Sequence, residues 1–371
     1  MKSCTIVVGA LSAVLIAFQA RDTGSRRQAL VVQPDALEEV RFGGGVPKGF
    51  MVLGAGPDSP NGYALEEHSL YASAGRPPSW RSRAAMPTSR LGATAAVVNN
   101  KMYVVGGYSN GYLSLVEEYD YLTDSWATKT PMPTARNSPA AAVIDGKIYV
   151  VGGEVNGVPE SAVEVYDPAM DTWAIRAPLP TPRWGIGVAS IQGVLIAIGG
   201  AAGAGTTTDA VERYNPSTNT WATMAPVIPG RRDLLAAATA SGKVYAIGGL
   251  TASGQKLANC DEYDPVANTW SPRPSMSTAR ASLSGAMVNE KIVVVGGYGN
   301  SSELSTAEEY DPISSTWKPL PSMPTARLSS ASASLNGTLL VVGGYTFGGT
   351  ILDATEEYDT GVRRLYLHRK L

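Results

Sequence analysis

Histidine and cysteine are almost missing from this chain, with two of each in 371 residues. His68 and His368 both fall in the least regular stretches. A structural zinc centre gathers four Cys or His ligands, and a nucleophilic triad needs a histidine beside its serine or cysteine. Neither pattern is present, so no metal, cofactor or triad chemistry is expected. An excess of one charge is missing too: 30 Lys and Arg stand against 32 Asp and Glu. Without a basic field there is little to hold a phosphate backbone, and nucleic acid is not an expected partner. A membrane-length apolar run is also lacking. The stretch from Thr5 to Phe18 follows Lys2 and spans fourteen residues, whereas a spanning helix needs about 20. No integral membrane span is therefore expected, and residues 1–20 read as a signal peptide, although cleavage after Ala20 would place bulky Phe18 where a small residue is preferred. The expected location is secreted or periplasmic, or cytoplasmic if the segment is not a signal. Once the signal is removed, Cys260 has no partner for a disulfide. Residues 21–40 read as a linker.

A diglycine is present six times: Gly106-Gly107, Gly152-Gly153, Gly199-Gly200, Gly248-Gly249, Gly296-Gly297 and Gly343-Gly344, in steps of 46 to 49 residues. A period of that length marks propeller blades. Arg90, Arg136, Arg183, Arg232, Arg280 and Arg327 each stand sixteen residues before their glycine pair. That constancy predicts two strands joined by a tight hairpin, with no room for insertions. Asp145-Gly146 and Asn336-Gly337 supply the turn chemistry. The strand before each diglycine is apolar, as in Ile148–Val151 and Ile292–Val295, which suits burial on both faces. A loop of variable length leads to a third strand ending in Tyr-Asp or Tyr-Asn, and a Trp opens the fourth. Small residues such as Ala140 to Ala142 suit an innermost strand, where blades crowd at the axis.

Gly-Gly, then Tyr-Asp, then Trp, headed by an Arg-led strand of small residues, resembles the kelch repeat over residues 80–360 and in weaker form over 41–371. The resemblance implies an all-β propeller of four-stranded antiparallel blades. Residues 41–80 look like a divergent copy, with Arg41 one period before Arg90, Gly54-Ala55-Gly56 near the diglycine position and Trp80 closing the unit. Seven units from Arg41 to the C-terminus favour seven blades. The alternative is six, with the Trp80 strand completing the last blade and residues 41–79 peripheral. Kelch proteins include scaffolds, adaptors and enzymes, so the resemblance leaves activity open. A copper-radical oxidase of the galactose oxidase type would need two His ligands and a Cys-Tyr cross-link that this chain cannot readily supply. Kelch-type sialic acid epimerases imply that such propellers can also work without metals.

In antiparallel blades the loop entering the first strand and the loop leaving the second share one face. That face is the expected ligand side, for a protein, peptide or glycan. Arg136, Arg183, Arg280 and Arg327 are candidate anion contacts, since guanidinium suits carboxylates. Each unit also carries an acid two residues before its Tyr, at Glu117, Glu164, Glu212, Asp261, Glu308 and Glu356, so an internal ion pair is the competing expectation. Residues that break the repeat are better candidates, because a ligand lacks the propeller's symmetry. They are Tyr108, Tyr298 and Tyr345 after the glycines, Glu154 at the equivalent place, Trp184 after Arg183, and Tyr112 and Phe347 in the loops. Aromatics with a few charges suit a sugar or an aromatic and acidic peptide. The expected function is an exported binding or scaffold protein. The alternative is a periplasmic or secreted carbohydrate-active enzyme, epimerase or mutarotase-like, for which Glu154, Asp209 and Asp233 are the acids that stand outside the repeat.

Overall fold

The computed structural model describes residues 14–17, 29–32, 70–73, 77–203 and 205–365. Two compact units divide the chain, one from Trp80 to Tyr358 and one from Met1–Ser79 with Asp359–Leu371. In the second, Val14–Ala17 pairs antiparallel with Ala29–Val32, and Leu70–Ser73 with Val362–Leu365. Of the signal only 14–17, of the linker only 29–32 and of the divergent copy at 41–80 only 70–73 and 77–80 are among the described residues.

The larger unit is a propeller of six four-stranded antiparallel blades. Blade 1 runs Thr94–Val98, Lys101–Val105, Val116–Asp120 and Ser125–Lys129. Blades 2 to 5 repeat this order, beginning at Ala140, Gly187, Leu235 and Ser284. Blade 6 takes Ala331–Leu335, Thr338–Val342 and Thr355–Asp359, and its fourth strand is Ser79–Arg83 from the other end of the chain. Trp80 stacks on Tyr358 with ring centroids 5.3 Å apart, as Trp126, Trp173, Trp221, Trp270 and Trp317 each stack on the Tyr of their own blade. The count of seven is thereby corrected to six. Trp80 does not end a seventh unit but occupies the Trp position of the sixth, and the first strand of blade 6 packs beside that of blade 1 to close the ring.

Packing follows from the repeat. Six apolar clusters sit between successive blades, so the core is a ring of interfaces. Tyr119, Tyr166, Tyr214, Tyr263 and Tyr310 are wholly buried in them. The indole N–H of each of these six Trp donates to a carbonyl of the neighbouring blade's connection, Trp126 to Ala84 at 2.9 Å and Trp80 to Pro321 at 2.8 Å. Both glycines of each pair lie at positive φ, and a Cβ on Gly107 would meet the Leu91 carbonyl at 2.7 Å. Only glycine lets backbone cross backbone there. The N–H of the second glycine donates to the arginine carbonyl of the next blade, from Gly107 to Arg136 around to Gly344 and Arg90.

The seam where the N-terminal strand closes blade 6 departs from the repeat. Glu357, fully buried, accepts from Arg81 at 2.7 and 2.8 Å, from Arg83 at 2.5 Å and from Tyr121 of blade 1 at 2.8 Å. Tyr121 stands where blades 2 to 5 have Pro168, Pro216, Pro265 and Pro312. Burial pushes the Glu357 carboxyl up, but the donors together outweigh it and hold its pKa at about 2.

Candidate functional site

The candidate arginines Arg136, Arg183, Arg280 and Arg327 are fully buried spokes. Arg136 meets Glu164 at 2.5 Å, Arg183 meets Glu212 at 2.7 Å, Arg280 meets Glu308 at 2.9 Å and Arg327 meets Glu356 at 3.0 Å, while Arg90 pairs with Glu117. Thr134, Thr181 and Thr325 hold the free carboxylate oxygens, and the guanidinium groups also donate to backbone carbonyls such as Val150 and Gly343. Burial lowers the arginine pKa values and the paired acids oppose that shift. No guanidinium of the ring reaches the surface.

The fourth spoke is Arg231, paired with Asp261 at 2.7 Å, and not Arg232. The reason is one extra residue in the first hairpin of blade 4. Thr239 pairs with Lys243 across Ala240, Ser241 and Gly242, whereas Ile144 pairs with Lys147 across two residues. The sixteen-residue rule therefore selected the wrong arginine, and the expectation of no insertion fails in this blade. Consecutive arginines at 231 and 232 were the signal that two registers competed.

Displaced by one position, Arg232 emerges on the loop face. There the residue after each spoke pairs with the residue after each diglycine, often with a third from the following loop. Directly paired residues on neighbouring antiparallel strands point to the same side. The rows are Leu91, Tyr108 and Tyr112 in blade 1; Asn137, Glu154 and Pro159 in blade 2; Trp184 and Ala201 in blade 3; Arg232, Leu250 and Lys256 in blade 4; Ala281, Tyr298 and Glu303 in blade 5; and Leu328, Tyr345 and Ile351 in blade 6. Four candidates, Tyr108, Tyr298 and Tyr345 after the diglycines and Trp184 after a spoke, are thus half-exposed in these rows on one face.

Neighbouring rows touch. Tyr108 and Tyr112 pack edge to face at 5.4 Å, and the Tyr112 hydroxyl donates to Glu154 at 3.2 Å. Glu154 also accepts from Asn137 and from the Gly157 N–H and is nearly buried. Phe347 packs against Tyr298 at 5.2 Å, with the Lys256 ammonium 4.0 Å from the tyrosine ring centre. Arg232 lies 4.6 Å over the Trp184 ring and pairs with Asp233 at 2.6 Å. Asp209 is exposed on the blade 3 loop, apart from these groups.

At the next position along the chain a second ring forms. Gly92, Ser138, Gly185, Asp233, Ser282 and Ser329 all hold φ between +50° and +61°. The N–H of each donates to the carbonyl of its counterpart in the preceding blade at 2.7–3.2 Å, and Gly92 closes the circle on Ser329. These residues immediately precede the inner strands, so the ring encircles the mouth of the axial channel. Asp233 is its one ionisable member. Its carboxylate lies over Gly185, where a Cβ would come within 2.5 Å of the oxygen. Burial raises the Asp233 pKa above the usual carboxylate range, and Arg232 only partly opposes the shift. Asn137 and Asp233 are thus placed at the mouth by glycines in the blade before, a relation no local motif encodes.

Below the ring the channel encloses about 400 Å³, lined by Thr94, Ala140, Ser190, Ala236 and their equivalents, with no charged side chain. Among the described residues no group of His, Cys, Asp or Glu is placed to hold a metal ion, and no helix is long and apolar enough to cross a membrane. Cys260 is a buried thiol of blade 4, pushed up to about 12 by burial.

Comparison with known proteins now has a geometry to meet. The family model for the KLHDC2/KLHL20/DRC7 Kelch-repeats domain matches residues 49–231 and 185–364. A solved structure titled "Structure of YjhT" superposes with a TM-score of 0.65 at 18% identity, covering 73% of this chain and 95% of that one. That likeness concerns the fold. No match is found among proteins of curated function. Six blades built on glycine pairs, Arg–acid spokes and Trp–Tyr stacks agree with the family model along nearly the whole propeller, and the chain belongs to the kelch-repeat β-propeller family.

Proposed function

We propose that this chain is an exported kelch propeller that binds a protein, peptide or glycan through the face carrying the loops after each diglycine. Export is supported by Lys2 and the apolar run behind it. One observation carries the binding reading: the paired rows on the loop face of the six blades hold half-exposed Tyr108, Trp184, Tyr298 and Tyr345 beside polar Glu154 and Arg232. The interior repeats and this surface does not. Aromatic rings flanked by charges supply contact area at low entropic cost, the composition of binding hot spots. The buried arginine spokes are not part of the proposed surface. A glycan and peptide array on the chain from residue 21 tests the reading, beside Tyr108→Ala, Tyr298→Ala and Tyr345→Ala. Ligands retained by all three variants would sink it.

A second reading, an epimerase or mutarotase-like enzyme on the same face, is favoured by Asp233. A carboxyl whose pKa is raised by burial at a channel mouth is a candidate for proton transfer. The test is exchange between the two anomers of a monosaccharide followed by NMR. Catalysis that survives Asp233→Asn would remove this reading.

A further inference from the structure

The loop face and the channel meet at one place, and there the hydrogen-bonding groups are arranged for a particular chemistry. Each inner strand pairs with its blade on one edge only, so its other edge offers N–H and C=O groups outside the ladder, of which those of Gly285 are taken by the Ser332 hydroxyl. Many lining side chains are small, among larger ones such as Leu235 and Met287, and several carry hydroxyls, including Thr94 and Ser190. A space of about 400 Å³ is within the range of small-ligand sites. Such a wall offers many donors and acceptors and no net charge. At its mouth, Arg232 and Asp233 form a 2.6 Å pair that sets a planar donor beside an acceptor, against the Trp184 ring. Adjacent hydroxyls each donate and accept, so a vicinal diol satisfies both members of the pair at once. A ligand carboxylate would have to compete with Asp233 for Arg232, and an ammonium with Arg232 for Asp233.

We propose that the channel mouth takes one neutral hydroxylated ring, a monosaccharide or the terminal unit of a glycan, with Arg232 and Asp233 holding vicinal hydroxyls and the inner-strand edges holding the remainder. The proposal rests on the binding reading above and commits it to a sugar. Ring size then sets selectivity, because the six-residue circle of Gly92, Ser138, Gly185, Asp233, Ser282 and Ser329 limits what enters.

Ligand-observed NMR on the full chain with the methyl glycosides of glucose, galactose, mannose and N-acetylglucosamine tests this. At least one should bind, with little dependence on salt, and both Asp233→Asn and Arg232→Gln should weaken it about tenfold or more, the effect of losing a charge-assisted hydrogen bond. Arg232 is partly exposed, so the second variant reports binding even if the first is less stable, and urea unfolding of both verifies the fold. No binding of any of the four, or binding unchanged in both variants, overturns the proposal. Peptides bound through Tyr108 and Tyr298 in that event would leave the broader reading intact, whereas an array without any ligand would end both.

Discussion

The spokes and the surface rows lie a single residue apart along the chain and obey opposite rules. Arg136, Arg183, Arg231, Arg280 and Arg327 each pair with an acid, Glu or Asp, at the same repeat position and at full burial. The residues that follow them are Asn137, Trp184, Arg232, Ala281 and Leu328, with nothing in common. A buried cation must find a carboxylate and several acceptors or the desolvation cost is not met, so its environment admits one solution. A half-exposed neighbour has water as an alternative and is free to vary. Regularity therefore marks scaffold in this protein, and variety marks the surface available to a ligand.

The largest expected effect comes from breaking a spoke. Arg136→Ala and Arg231→Ala each leave a buried acid unpaired and should cost about 3–5 kcal/mol in urea unfolding. Arg232→Ala should cost less than about 1 kcal/mol. Equal losses at 231 and 232 would refute the reassigned register. Next is the seam. Glu357 has a folded pKa near 2 against 4.5 for the free group, so its contribution is present above pH 4.5 and is lost as pH falls through 2. Glu357→Gln should lower stability by about 3 kcal/mol at pH 7, and the difference should shrink on acidification. Thermal melts at several pH values measure it, and a pH-independent difference would assign the loss to packing.

On the surface, Tyr298→Ala removes a ring that touches both Phe347 and Lys256. It should reduce ligand affinity at least tenfold while costing only about 1 kcal/mol in stability. The reverse pattern would make this row scaffold. The smallest effect is at Asp233, whose folded pKa is raised. Its carboxyl favours the folded state below the unfolded pKa, and this is lost as pH rises through the folded pKa. Asp233→Asn should therefore be at least as stable as the parent at pH 7, with the two converging below about pH 3.8. A variant clearly less stable at pH 7 would show that the pair with Arg232 outweighs burial.

Most of the architecture was legible because its physics is local. Glycine pairs, Asp-Gly and Asn-Gly hairpins and Tyr–Trp spacing each act within one blade, and a 46 to 49 residue period exposes them. Two readings failed for a related reason. Seven blades, with Trp80 ending a unit, were favoured over six, with Trp80 completing the last blade, because nothing near Trp80 in sequence shows that its partner is Tyr358, 278 residues away (358 − 80). Arg232 was taken as the spoke because a fixed offset counts residues, and the extra hairpin residue at 240–242 changes the count without leaving a gap elsewhere. The candidate site was legible as a list: Tyr108, Glu154, Trp184, Tyr298, Tyr345 and Asp233 all lie on the expected face. Their grouping was not, nor was Lys256, since the Tyr112–Glu154, Trp184–Arg232, Lys256–Tyr298 and Tyr298–Phe347 contacts each join different blades.

By itself, then, the sequence determined the repeat, the four-stranded blade and the face on which irregular residues gather, because strand alternation and turn chemistry act over a few residues. Tertiary structure alone decided the number of blades, which arginine is buried and which lies on the loop face, and that Arg232, Asp233 and Trp184 meet above the channel. Those outcomes depend on ring closure, which is settled by how many blades pack side by side before the first meets the last, and no single blade carries that information.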